Sequence, residues 1–156
     1  MAVMKIYRMG DDVLRKKAHE VKEINRRTVA LIKDMAETMY AADGCGLAAP
    51  QVGVLRRIVV IDVGEGLVEL INPVILEASG HQEGPEGCLS LPGKHGTVAR
   101  PDHVKVRALD RKGREFELEA DGFFARAVCH ELDHLVGVLY VDHLIGELED
   151  NDAEAN

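Results

Sequence analysis

The sequence predicts an α+β fold, in which antiparallel or mixed β-sheets pack around a C-terminal helix and a second, N-terminal helix lies to one side. Three features lead to this prediction: helical periodicity in two separate segments, a two-residue alternation between them that is typical of a β-hairpin, and a length of 156 residues. We expect one domain over residues 1–146. We expect residues 147–156, which are acidic and contain few apolar side chains, to be a disordered tail.

The N-terminal helix is predicted to begin after Asn25, because asparagine is a favoured N-cap residue. From there to about residue 41, charged side chains occupy the outer faces and apolar side chains recur at helical spacing, at Val29, Ile32, Ala36, Met39 and Tyr40. We interpret this amphipathic helix as a packing element.

The segment between the two helices is predicted to form strands. Residues 57–62 indicate a buried strand, and residues 68–71 and 74–76 indicate two more, interrupted at Asn72 and Pro73. Residues 104–108 and 115–119 alternate apolar and charged side chains around a turn, which predicts a hairpin with a charged outer face. Residues 80–93, rich in glycine, are predicted to form an irregular functional loop, and residues 138–141 a last short strand.

The composition argues against several function classes. A net charge of −8 argues against nucleic acid as a direct partner. There is no apolar run long enough to cross a bilayer and no signal-peptide pattern, so we expect a cytoplasmic protein without a membrane partner. We also expect a monomer. The cysteines, Cys45, Cys88 and Cys129, have wide and unrelated spacings, which suits free thiols or a metal ligand better than disulfides.

The C-terminal helix carries an H-E-x-x-H sequence at residues 130–134. Histidines four residues apart lie on one helix face and can share a metal ion, and Glu131 lies close enough to transfer a proton without being a ligand. Asp121 is a good N-cap and Gly137 a good stop for this helix. One stripe of the helix contains Phe123, Ala127, His130 and His134. Hydrogen-bonded core histidines are the alternative, but a metal is the better partner for imidazoles on an apolar face.

A catalytic metal of this kind needs a third protein ligand and one open position. The downstream candidates are poor, because Tyr140 stands where related patterns have a third histidine and the glutamates after residue 146 lie close to the end of the sequence. Cys88 is the best upstream candidate, since the flexible backbone around it can aim the thiolate at a helix face. Cys45 is a weaker candidate, and Cys129 is expected to pack in the core.

Residues 44–51 are nearly all small, so their backbone can approach a ligand closely, although a tight turn explains them equally well. The side-chain amide of Gln51 could donate a hydrogen bond to an oxyanion, but a lone glutamine is more often a surface residue.

Residues 44–51, 86–90 and 130–134, in this order and spacing, resemble the three signature motifs of the peptide deformylase family, and the resemblance extends to about Leu144. It implies that residues 1–146 form a catalytic domain. It also implies roles for individual residues: Cys88, His130 and His134 as metal ligands, Glu131 as general base and acid, Gln51 and the Leu89 N–H as oxyanion donors, and Gly46 beside the substrate.

The resemblance further implies the reaction and the substrate. The formyl group is removed from the N-terminal formyl-methionine of nascent chains by water that the metal activates, and formate is released. The metal would be one divalent ion, with Fe²⁺ favoured and Zn²⁺, Ni²⁺ or Co²⁺ also compatible with the ligands. The substrate-binding pocket would include Gly44, Cys45, Gly87, Phe123 and Ala127, with Glu86 at its rim.

Two features depart from the family pattern. Cys129 stands where many members have glutamine, and the acidic end of the sequence replaces the basic C-terminal helix of some bacterial members, so ribosome contact through such a helix is not supported. Two other functions stay open: a small metallopeptidase, and a non-catalytic metal-binding module whose fourth ligand would be Cys45, His81 or His95.

Overall fold

The structure, a computed structural model, describes residues 2–151. Its two α-helices are α1 (Arg26–Ala41) and α2 (Gly122–His134). Its strands are β1 (Gly46–Ala48), β2 (Ile58–Ile61), β3 (Val68–Ser79), β4 (Gln82–Cys88), β5 (Leu91–Arg100), β6 (His103–Leu109), β7 (Glu115–Asp121) and β8 (Leu144–Asp150). Short 3₁₀ helices span Asp12–Arg15, Ala49–Val52 and Tyr140–His143. Within residues 2–151, no helix is both long and apolar enough to cross a bilayer.

The strands form two antiparallel sheets, one in the order β1-β2-β3-β6-β7 and one in the order β4-β5-β8. The predicted α+β class and the hairpin, which is β6 and β7, are confirmed. Strand β2 is buried on both faces: Val59 and Ile61 pack in the cluster that contains α2, whereas Ile58 and Val60 pack in the cluster that contains α1. This double burial explains why β2 is continuously apolar.

The predicted N-terminal helix is confirmed, with its cap. The Asn25 side chain accepts a hydrogen bond from the Thr28 N–H (3.0 Å), and the Thr28 hydroxyl accepts one from the Asn25 N–H (3.4 Å). The buried face, with Ile32, Met35 and Met39, packs on β1 and β2.

The predicted loop over residues 80–93 is wrong, because most of it belongs to β4 and β5, which pair as a hairpin. Glycine and proline suggested irregular structure, but β4 is an edge strand. At an edge, the missing N–H of Pro85 does not remove a hydrogen bond between strands. The predicted break at Asn72 and Pro73 is a shift of register inside β3, with Asn72 in a left-handed conformation (φ 52°). The Asn72 side chain both donates to and accepts from the backbone of Val21.

Two predictions near the C-terminus are also wrong. Residues 138–141 were expected to form a strand, but Tyr140–His143 is a 3₁₀ helix. Residues 147–150 were expected to be disordered, but they belong to β8, which pairs with β5. The open edge of β5 supplies backbone partners and Lys94 binds Asp150, which composition alone does not indicate. The rest of the predicted tail, residues 152–156, lies outside the described residues.

Replacing Gly137 by alanine should lower the free energy of unfolding by about 2–4 kcal/mol. Gly137 follows the end of α2 with φ 77°, and a Cβ there would lie 2.5 Å from the carbonyl oxygen of Arg15. Urea unfolding measures the loss. Gly146→Ala is the matched control, because Gly146 also has positive φ (87°) but a Cβ there meets nothing within 4 Å. Equal losses in the two variants would contradict the predicted clash.

Candidate active site

Three side chains that could hold a metal ion meet where the end of β4 approaches α2. Cys88 is the last residue of β4, and His130 and His134 lie one turn apart on α2. The sulfur of Cys88 and one nitrogen of each histidine all lie within 4.8 Å of one another, and the Cys88 Sγ to His134 Nε2 distance is 3.4 Å. One thiolate and two imidazoles form a ligand set that suits zinc or a first-row transition metal.

The orientation of His130 is set by Glu86. The Glu86 Oε1 to His130 Nδ1 distance is 2.9 Å. Burial alone raises the pKa of Glu86, but hydrogen bonds from Arg100 and His130 outweigh it and lower this pKa to about 2. The carboxylate can therefore only accept, so His130 Nδ1 carries a proton and Nε2 is the nitrogen left for a metal. Burial lowers the pKa of His130, but hydrogen bonds with Cys88 and Glu86 outweigh it and raise this pKa well above its usual value, so a metal would displace a proton from Nε2. The Tyr140 ring stacks on His130, with 5.8 Å between centroids.

His134 has the protonation state that a metal ligand needs. It is 1% exposed, and burial, followed by the nearby His130, lowers its pKa well below the usual value, so the ring is neutral. Its Nε2 faces Cys88, and its buried Nδ1 has no hydrogen-bond partner within residues 2–151.

The alternative fourth ligands do not join this cluster. Among the described residues, the only group of potential ligands that converge is Cys88, His130 and His134. His81 contacts Glu83 and His95 contacts Asn151 instead. The residues therefore fit a metal with three protein ligands and an open position, not a closed four-ligand site.

Glu131 lies beside the cluster as a buried carboxyl group. It is 5% exposed, and within the described part of the chain its Oε1 is buried without a hydrogen-bond partner. Burial raises its pKa to about 7. Gly46 of β1 faces it so closely that a Cβ at Gly46 would lie 2.5 Å from Glu131 Oε2. A carboxylate with this pKa can both accept and return a proton at neutral pH.

Gln51 is held by both ends of its amide. Its Oε1 accepts a hydrogen bond from the Ala48 N–H (3.0 Å), and its Nε2 donates to the Ser90 hydroxyl (3.1 Å) and lies 3.5 Å from Cys88 Sγ. Gln51 is 1% exposed, so the sequence-based alternative of a surface glutamine is wrong. Ser90, for which the sequence indicated no role, fixes the direction of this amide.

A cavity of about 260 Å³ opens beside the cluster. Its lining includes all the predicted site residues except His134, which is buried behind it: Gly44, Cys45, Gly46, Gln51, Glu86, Gly87, Cys88, Leu89, Phe123, Ala127, His130 and Glu131. Phe123 is 58% exposed at the mouth. The expected rim position of Glu86 is wrong, because Glu86 is 5% exposed and binds His130 and two arginines.

Six lining residues were missed from the sequence, namely Pro85, Leu91, Gly93, Lys94, Arg126 and Asn151. Arg126 lies four residues before His130, so helical spacing could have found it. Lys94 belongs to β5, and Asn151 directly follows β8; the pairing of these two strands was not predicted.

A family model described as polypeptide deformylase matches residues 3–149. The chain belongs to the peptide deformylase family. Peptide deformylases are metal-dependent hydrolases, and this chain removes the N-formyl group from nascent peptides.

Individual relatives cover nearly the whole chain. A peptide deformylase from Caldanaerobacter subterraneus is 58% identical over 154 residues, which are 99% of this chain and 97% of the relative. Peptide deformylase 1 from Clostridium acetobutylicum is 60% identical over 144 residues, with 92% and 96% covered. The Thermotoga maritima peptide deformylase structure matches with a TM-score of 0.91 at 43% identity, covering 92% of this chain and 99% of that one. The Synechococcus elongatus peptide deformylase, solved with actinonin, matches with a TM-score of 0.90 at 44% identity, with 92% and 80% covered.

Proposed function

We propose that Cys88, His130 and His134 hold one divalent metal ion, and that Glu131 is the general base and then the general acid of deformylation. One observation carries the proposal: three potential ligand atoms within 4.8 Å of one another adjoin a buried carboxylate at the wall of a cavity, and Oε1 of this carboxylate has no hydrogen-bond partner within residues 2–151. When bound, the ion acts as a Lewis acid that makes water a nucleophile near neutral pH.

Glu131 manages the proton in both halves of the reaction. Its carboxylate accepts a proton from the attacking water, whose oxygen forms a bond to the formyl carbon. As the C–N bond breaks, the same carboxyl group returns the proton to the leaving amine, and formate and a free N-terminus result. The pKa of about 7 suits both directions of transfer.

The oxyanion is stabilised by two donors from different elements. Gln51 Nε2 is directed toward Cys88 by the Ala48 and Ser90 contacts, and the backbone N–H of Leu89 follows Cys88 directly. Preorganised donors of this kind act on the charge that develops in the transition state.

The rest of the cavity is proposed to bind the substrate. Gly44, Gly46 and Gly87 let the peptide backbone approach, and Cys45, Phe123 and Ala127 contact the methionine side chain. Glu86, which lines the cavity, acts on His130.

Replacing Gln51 by glutamate should lower kcat by about 10²–10³-fold with little change in KM. The substituted side chain keeps the acceptor for the Ala48 N–H but loses the donor at Nε2. Steady-state formate release measures the effect, and metal content per chain is the control. An unchanged kcat at full metal content would exclude Gln51 as an oxyanion donor.

The reaction class is tested by offering the chain formylated and unformylated Met-peptides of the same sequence. Formate release from the first and no cleavage of the second is the expected result. Cleavage of internal peptide bonds would favour the metallopeptidase alternative.

We further propose ferrous iron as the working ion, because the thiolate and imidazole ligands suit it and the family resemblance favours it. The iron-loaded protein should then lose activity in air, since a thiolate on ferrous iron is readily oxidised. Timed formate assays with and without air measure this loss, with the nickel-loaded protein as control. Stable activity of the iron form after prolonged aeration would contradict the prediction.

The proposed setting of the reaction is the cytoplasm, on N-formyl-methionyl nascent chains. We propose a monomer without a membrane partner. The net charge of −8 argues against direct contact with nucleic acid.

A further inference from the structure

Glu86, the carboxylate behind His130, is enclosed by three cationic or polar donors. Arg100 binds both of its oxygens, through Nε to Oε2 (2.8 Å) and Nη2 to Oε1 (2.9 Å), and Arg126 Nη1 donates to Oε2 (2.8 Å). The side-chain exposures are 3% for Glu86, 6% for Arg100 and 5% for Arg126. At this burial an uncompensated charge would be strongly destabilising.

The two arginines are not equivalent. Arg100 is shared, because its Nη1 also binds Asp133 (2.7 Å). Within residues 2–151, Arg126 has no carboxylate partner other than Glu86. The positive charge of Arg100 is thus neutralised in part by Asp133. The positive charge of Arg126 is therefore needed to neutralise the Glu86 carboxylate fully.

Arg126 is also fixed rigidly where it stands. It lies on α2, one turn before His130, and its Nη1 donates to the carbonyl oxygens of Gly84 (3.2 Å) in β4 and Val98 (3.0 Å) in β5. A Cβ at Gly84 would lie 3.2 Å from Arg126 Nη2, so glycine there leaves room for the guanidinium. The same side chain therefore fixes Glu86 against α2 and α2 against the hairpin that carries Cys88.

We propose that Arg126 is a positioning residue for the metal site, which acts through Glu86 to hold His130 with Nε2 toward Cys88 and His134. This inference rests on the proposed metal ligands. Without Arg126, Glu86 can rotate and would no longer be a fixed acceptor for His130 Nδ1. The preorganisation of one ligand would then be lost, although Arg126 itself touches no metal.

The test measures Co²⁺ binding to the full-length, metal-free protein. Competition with a chelator gives the dissociation constant, and the thiolate-to-cobalt absorption band reports whether Cys88 is a ligand. Arg126→Gln should raise the Co²⁺ dissociation constant about 10–100-fold, the usual effect of losing a partner behind a metal ligand. Arg126→Lys, which restores the charge, should stay within a few-fold of the parent. Arg57→Gln is the matched control, because Arg57 is a half-buried arginine that binds the Pro73 carbonyl in another part of the fold.

A double-mutant cycle separates positioning from general stability. If Arg126 acts through Glu86, Arg126→Gln in a Glu86→Gln background should change the Co²⁺ dissociation constant by less than about twofold. A full additional loss in that background would overturn the inference. So would an Arg126→Gln protein that is less stable but binds Co²⁺ as the parent does.

The remaining outcomes are equally decisive. If Arg126→Gln does not fold, Arg126→Lys decides, and a folded Lys variant with a 10–100-fold loss would contradict the role of the charge. If the parent itself binds Co²⁺ without the thiolate band, the proposed ligand set fails, and the inference fails with it. If the parent shows the band and the Arg126→Gln variant has the same Co²⁺ dissociation constant as the parent, the role of Arg126 is contradicted while the proposed ligand set stands.

Discussion

Replacing Glu131 by glutamine should lower kcat for formate release by about 10²–10⁴-fold while one metal per chain stays bound. Glutamine has nearly the same shape but cannot accept the proton of the attacking water. Glu131 is buried, and its Oε1 has no hydrogen-bond partner within residues 2–151, so the substitution breaks no observed contact at that atom. The effect should therefore fall on kcat and spare metal binding and KM.

Glu37→Gln is the matched control for this variant. Glu37 also has a buried carboxylate oxygen without a partner in the described part of the chain, but it lies on α1 and does not line the cavity. Formate kinetics and metal analysis of both variants form the measurement. Undiminished turnover in Glu131→Gln would refute the proposed base, and loss of the metal in that variant would show that Glu131 is a ligand.

Replacing Gly46 by alanine should lower kcat about 10²-fold, because a displacement of about 1 Å in a catalytic group has effects of this size. The added Cβ would lie 2.5 Å from Glu131 Oε2 and 3.0 Å from its Cγ and Cδ. Gly46 is not among the residues with positive φ, so alanine is compatible with its backbone. The expected loss of activity therefore comes from Glu131 being pushed aside.

Whether the loss comes from the clash with Glu131 can be tested by combining Gly46→Ala with Glu131→Ala. Overpacking should lower the free energy of unfolding by about 1–3 kcal/mol. In a Glu131→Ala background the Gly46→Ala substitution should have little effect on stability, since the opposing side chain is gone. Denaturant unfolding of the single and double variants measures this. The explanation is wrong if the stability loss persists in that background, or if Gly46→Ala alone has the kcat of the parent.

The parts of the site that were predictable from sequence follow from local periodicity. The spacing of His130 and His134 fixes them on one face of any helix, and Asn25 with Thr28 marks a helix start by local hydrogen bonds. The β6–β7 hairpin has a short turn and a regular alternation, so its pairing is also encoded locally.

The parts that failed depend on partners distant in sequence. Strand β8 exists because β5 offers it an edge some 50 residues away, and its acidic composition gives no sign of this. The wrong placement of Glu86 at the rim has the same origin, because its partners Arg100, Arg126 and His130 come from β5 and α2. A pairwise contact between a strand and a helix leaves no periodic pattern in a single sequence.

The most direct test of the proposed active site is anaerobic formate release from a formyl-Met tripeptide by the ferrous form of the protein, beside a Cys88→Ser variant treated identically. The proposed ligands and reaction predict that the parent releases formate and that the variant, which lacks the thiolate, has lost nearly all activity. Formate release by the variant at the rate of the parent would contradict the role of Cys88. A parent that holds one iron per chain and yet releases no formate would contradict the proposed active site as a whole.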